Sequence, residues 1–174
     1  MKKMFRYVIP VLLTLVAYSV FAQSVAELDS RNGFKDIQLG TRADSVGGAR
    51  LRKEFTIKEN VYPSQVYVVE NPEYESIGDV KVRSVELGAY RNLIESITLI
   101  TEKDPRLMRA LENLFGAATY DAKNNQYFWR GESVILTYKS HTKKELLLEY
   151  RSLVIPRMMV EDRKSKIDKI ADDF

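Results

Sequence analysis

The chain of 174 residues has no cysteine, one histidine and one tryptophan, and 45% of its residues are hydrophobic and 29% charged. That balance belongs to an ordinary globular protein and excludes a disordered, collagen-like or disulfide-stapled chain. The formal charge of +3 resides in Lys2, Lys3 and Arg6; without them 24 basic side chains face 24 acidic ones, so the cationic excess with which a nucleic-acid binder displaces counterions is missing.

Those three cations open the chain. Val8 to Phe21 then form an apolar run broken by Pro10, Thr14 and Ser19, and Val20 and Ala22 place small residues three and one positions before Gln23. A charged start, a short apolar stretch and a small-residue exit predict a secretory signal peptide over residues 1–22, cut between Ala22 and Gln23. The run is about 14 residues against the roughly 20 of a spanning helix, so no stable membrane insertion is expected after cleavage; the competing reading is an uncleaved anchor. No cysteine stands at the exit to take a lipid. The expected location is the periplasm or the exterior. Removing 22 residues leaves 152, enough for one domain that buries on the order of 70% of its unfolded surface. With no cysteine, thiol catalysis, thiolate metal sites and redox switching are excluded.

Residues 23–32 read as a polar lead-in, 33–155 as one domain and 156–174 as a C-terminal helix. Phe34 to Leu39 alternates and predicts a strand ended by Gly40. Thr41 offers an N-cap with Asp44 three residues on, predicting about two helical turns stopped by Gly47-Gly48. Strands follow around Phe55/Ile57 and Val66–Val69, parted by Pro63. Residues 71–79 read as a loop. Residues 81–90 predict a strand whose apolar phase slips near Ser84, as at a β-bulge. Leu93 to Thr101 predicts the next strand, with Leu93, Ile97 and Leu99 on one face, after a turn at Tyr90-Arg-Asn-Leu93. Asp104 as cap, Pro105 as first residue, Leu107, Leu111, Leu114 and Phe115 at helical spacing and Gly116 as stop define a helix over 105–115. Three strands (127–130, 133–139 and 145–153) and a helix from Pro156 complete an α+β chain, with an antiparallel sheet, helices on one face and a strand–helix–strands unit that recurs at 34–70 and 93–153.

The chemistry-bearing residues give no catalytic signature. His141 lies in a polar turn without a glycine-flanked nucleophile motif elsewhere. Glu70, Glu73, Glu75 and Asp79 share a loop but lack the alternating acidic pattern of a calcium site. Gly47-Gly48 follows a helix instead of leading into one, so no phosphate cradle is formed. No cofactor and no metal ligand set is assigned. In the last three strands Tyr127, Trp129, Val134, Leu136, Tyr138, Leu146, Leu148 and Tyr150 fall on one mostly aliphatic side, the expected core. Phe128, Arg130, Thr137, Lys139, Glu149 and Arg151 fall on the other, with Ile135 and Leu147 among them. Aromatic and arginine side chains with apolar neighbours are the composition of a protein-binding patch, and these six are the candidate binding residues. In the C-terminal helix Asp162 and Lys166 stand at pairing distance.

The stretch Gly33-Phe-Lys-Asp-Ile-Gln-Leu-Gly40, followed by Leu93-Ile-Glu-Ser-Ile97, Leu111-Glu-Asn-Leu-Phe-Gly116, Trp129, Leu136-Thr-Tyr138 and Leu148-Glu-Tyr150, resembles short exported bacterial proteins of unknown function. In element order the chain is similar to the β-lactamase-inhibitor-like fold of small envelope proteins. That resemblance implies a sheet with one helix-covered face and one open face used against protein partners. The chain departs from the outer-membrane assembly members in having no lipid-bearing cysteine. The expectation is a non-enzymatic exported domain with a protein partner in the envelope. A small hydrolase acting on envelope polymers and a carbohydrate-binding module built on tyrosines are the alternatives. Oligomeric state is left open.

Overall fold

A computed structural model describes residues 26–172 and 174, so the expected signal peptide lies outside the described residues. The architecture is α+β. A nine-stranded antiparallel sheet carries the order β3-β4-β6-β7-β11-β10-β9-β8, with short β5 paired to β6. Its strands are β3 (Ala49–Phe55), β4 (Ser64–Val69), β5 (Ser76–Ile77), β6 (Val80–Tyr90), β7 (Leu93–Glu102), β8 (Thr119–Asp121), β9 (Gln126–Arg130), β10 (Val134–Ser140) and β11 (Glu145–Ser152). The order consists of two meanders, β3-β4-β6-β7 and β8-β9-β10-β11, whose last strands pair with each other at the centre. Strand order therefore reads the same from either edge, with a connecting helix, α2 (Pro105–Phe115), between the halves.

One sheet face is covered. Val85, Leu87, Ala89, Ile94, Ile97, Leu99, Trp129, Val134, Leu136, Leu148 and Tyr150 are buried there beneath Leu111 and Phe115 of α2. Leu28, from a helical turn over 26–31 (α1), and Phe34 and Ile37, from the β1–β2 hairpin (Gly33–Phe34 and Ile37–Gln38), join the same cluster. The helix α3 (Ile155–Ala171) starts where Ser152 Oγ accepts the N–H groups of Val154 and Ile155, at 3.1 Å each. Of α3, Ile155 is buried and residues 164–171 are exposed. No helix among the described residues is long and apolar enough to cross a membrane.

The helix over 105–115 has the bounds its sequence predicts: the Asp104 carboxylate accepts the Arg106 N–H at 2.7 Å and Gly116 leaves the helix with φ 79°. The phase slip in β6 is also present, as a register shift between Val82 and Ser84. Elsewhere the structure corrects the sequence. Residues 26–31 of the expected lead-in are helical and place Leu28 in the core. Phe34 to Leu39 is not one strand, because Lys35 takes φ 53° and the segment turns back so that Phe34 pairs with Ile37. The helix expected after Thr41 is only a 3-10 turn, Ala43–Ser45; the Thr41 hydroxyl donates to the Gln38 carbonyl at 2.7 Å instead of capping. Tyr74, in the expected loop, is buried in a 3-10 turn (Pro72–Tyr74). A second register shift, opposite Glu95, separates Leu93 from the buried row of Ile97 and Leu99 and puts Ile94 there. Leu114 is 41% exposed. Asp162 does not serve Lys166; it accepts the Tyr90 hydroxyl at 3.0 Å and pairs with Arg91 at 3.1 Å.

Candidate functional site

Alternation along a strand sends residues i and i+2 to one side, and the registers turn that local rule into continuous rows. One row crosses all eight strands of the main path: Arg50, Val68, Glu86, Thr98, Glu149, Thr137, Phe128 and Thr119. The next holds Lys53, Val66, Gly88, Ser96, Arg151, Ile135 and Arg130. A third holds Ser84, Ile100, Leu147 and Lys139. All six residues singled out in the sequence thus stand on the face opposite the core. Phe128, Lys139 and Glu149 are half-buried, Arg130 and Arg151 are exposed, and Thr137 is buried between Phe128 and Glu149.

Three register irregularities add charge to this face. Arg52, Arg83 and Glu95 are each the extra residue opposite a shift, and at a bulge two successive residues oppose one on the partner strand, so the alternation slips by one position and both side chains fall on the same face. Arg52 reaches Glu86 at 2.6 Å, and Arg83 pairs with Glu102. Burial pushes the Glu95 carboxyl up, Arg151 pulls it back and Glu149 pushes it further up. Arg151 itself holds Glu149 at 2.8 Å. Arg130 and Lys139, flanking Phe128, have no ion pair among the described residues. Between the charges lie half-buried Val66, Val68, Ile100, Ile135 and Leu147, and Gly88 opposite Ser96 makes a low point in the middle of its row. Near the β6–β7 turn, Tyr90 is fully buried under Asp162 of α3 and the edge-on ring of Tyr62, 5.9 Å between centroids.

The other candidates are placed differently. His141 is exposed in the β10–β11 hairpin, its N–H donating to the Glu145 carbonyl. Of the acidic loop, Glu70 pairs with Arg50 and Asp79 with Arg106; among the described residues no group of three acidic or histidine side chains is set to hold a metal ion. Trp129 is 5% exposed, packs edge-on against Phe115 and donates from Nε1 to the Gly116 carbonyl at 2.7 Å. Tyr120, Tyr127 and Tyr138 form an aromatic ladder, but their planes are inclined by 45° and 71°, unlike the flat platform on which a sugar stacks. Glu95, with its raised carboxyl, lines none of the described clefts.

Sequence reasoning found the β9–β11 part of the face because alternation is visible within a hairpin pair. It missed the contributions of β3, β4, β6 and β7, which join only through the β7–β11 pairing between residues some 50 positions apart. No family model matches the chain, and no curated protein or solved structure is significantly similar to it.

Proposed function

We propose that the protein is an exported, non-enzymatic domain that binds a protein of the bacterial envelope through this open face. The supporting observation is the surrounding of Phe128: an aromatic side chain on a polar-apolar sheet face, flanked by Arg130 and Lys139, two cations without an ion pair among the described residues, while Arg52, Arg83 and Arg151 on the same face are each paired with a carboxylate. Aromatic and arginine side chains are the usual anchors of protein interfaces. The partner presents an apolar residue bordered by carboxylates, whose charge Arg130 and Lys139 take up. The N-terminal pattern of residues 1–22 supports export.

The test is crosslinking and affinity capture from the native envelope with the parent protein and with Phe128→Ala/Arg130→Ala, whose folding is checked by circular dichroism. A stoichiometric partner captured by the parent and lost by the folded double variant is the expected result. Undiminished capture by that variant rules the face out.

A further inference from the structure

On the helix-covered side, a cleft of about 510 Å³ opens between α2 and the β1–β2 hairpin, within the few hundred to a thousand Å³ of small-molecule sites. Its long walls are apolar: Leu107, Leu111 and Leu114 from α2, Ile77 from β5 and Leu148 on the floor. The half-exposed Leu114 is accounted for here, as a helix residue turned to the cleft and not to the core. Both charged side chains among the described lining residues, Arg31 and Lys35, are cationic.

Leu107 and Ile77 pack with Val80 and Leu146 in a small apolar cluster. Arg31 and Tyr150, which follows Leu148 on the same face of β11, also line the cleft. Burial raises the Tyr150 phenol to about 12, and the Arg31 charge draws it back down, so the two groups sense each other. Arg31 uses Nε to hold Glu27 at 2.7 Å, and its terminal guanidinium nitrogens have no hydrogen-bond partner among the described residues. Leu146 and Tyr150 are four positions apart on β11, about 13 Å at roughly 3.3 Å per residue.

We propose that this cleft binds an alkyl carboxylate of medium length, its chain along Leu148 between α2 and the hairpin and its carboxylate against Arg31 and the Tyr150 hydroxyl. The apolar walls take the chain out of water, and the single sign of the lining charges selects an anionic head over a neutral one.

The sole tryptophan supplies the readout, since Phe115 both lines the cleft and packs on Trp129, 6.4 Å between centroids. Purified protein is titrated with decanoate below its micelle concentration and with decanol, following Trp129 emission and heat. Saturable one-site binding is expected, with decanoate favoured over decanol about tenfold, as for one charge-assisted hydrogen bond. Arg31→Gln removes that preference while decanol binding persists. Ala110→Phe, placed at an exposed lining position of α2 so that the core is left intact, blocks both ligands. Absence of saturable binding, unchanged decanoate affinity in Ala110→Phe, or a preference that survives Arg31→Gln overturns the proposal.

Discussion

Asp29 shows how much one short side chain can organise. Its carboxylate accepts the N–H groups of Glu132, Ser133 and Val134 at 2.8, 2.9 and 3.2 Å and the Ser133 hydroxyl at 2.7 Å. Burial pushes this carboxyl up, but the four donors together hold it below its ordinary 3.8. Its contribution to stability is therefore present above pH 3.8 and disappears as the pH falls through the lower folded value. Asp29→Asn, which turns an amide donor towards this nest of donors, is expected to cost about 2 kcal/mol in urea unfolding at neutral pH and to cost less near pH 3. Gly131 is tied to the same contact: a Cβ there would stand 2.4 Å from the Asp29 carboxylate, so Gly131→Ala is expected to destabilise by about 1–3 kcal/mol. At the alkaline end the sign reverses. Tyr74 and Tyr90 are raised to about 12 by burial and then by their bonds to Asp36 and Asp162, and Tyr150 by burial. These phenols stay neutral in the folded state after the unfolded chain has ionised. Their contribution to stability is fully present below pH 10 and is lost as the pH rises from 10 to 12, and Tyr90→Phe should flatten part of that loss in a pH series of urea midpoints.

At the scale of elements, α2 and α3 contrast. In α2 the spacing of Leu107, Leu111 and Phe115 buries one face, while Leu114 lies off it. Leu111→Ala is expected to cost about 2–5 kcal/mol, and Leu114→Gln to stay within about 0.5 kcal/mol. Asp104→Ala should cost about 1 kcal/mol through the lost cap. The helix α3 is held by its first half, through Ile155 and through Asp162 on Tyr90 and Arg91. Beyond Arg163 it is exposed, with Ile167 and Ile170 more than half accessible. Truncation after Arg163 should therefore leave the thermal midpoint unchanged, whereas Asp162→Ala should lower it. The β6–β7 turn explains why Arg91 is available to Asp162: Arg91 and Asn92 both have positive φ, 54° and 62°, the requirement of the tight two-residue hairpin, and the turn carries the guanidinium towards α3.

At the scale of the whole molecule, the two meanders are joined by the β7–β11 pairing, which buries Ile97 and Leu99 beside Leu148 and Tyr150. Neither half can complete its core face without the other, and α1 reaches from the first half to the β9–β10 turn of the second through Asp29. One cooperative unfolding transition is expected. Trp129 emission, which reports on the second half, and far-ultraviolet circular dichroism should give the same urea midpoint; separated midpoints would show that the halves fold independently. The same pairing unites the open face, since the rows from Arg50 to Thr119 exist only when β7 lies beside β11.

Elements were legible where local chemistry decides them. Asp104, Pro105 and Gly116 bound α2 by capping and by backbone preference, the slip from Val80/Val82 to Val85/Leu87 marks the bulge of β6, and alternation in 127–151 divides core from open face. Those determinants act over a few residues, and tertiary contacts did not override them. Phe34 to Leu39 and the Thr41 segment were settled elsewhere. Their apolar residues meet the core from α1 and the strands, so a hairpin and a 3-10 turn replace the elements that local propensity favoured. Asp162 likewise met Tyr90 and Arg91, which sequence places some 70 positions away. By itself the sequence determined the balance of charge beyond Arg6, the α+β class and the facing of the last three strands. Only the tertiary structure decided which strands lie side by side and where the cleft opens, because both depend on contacts between residues far apart in the chain.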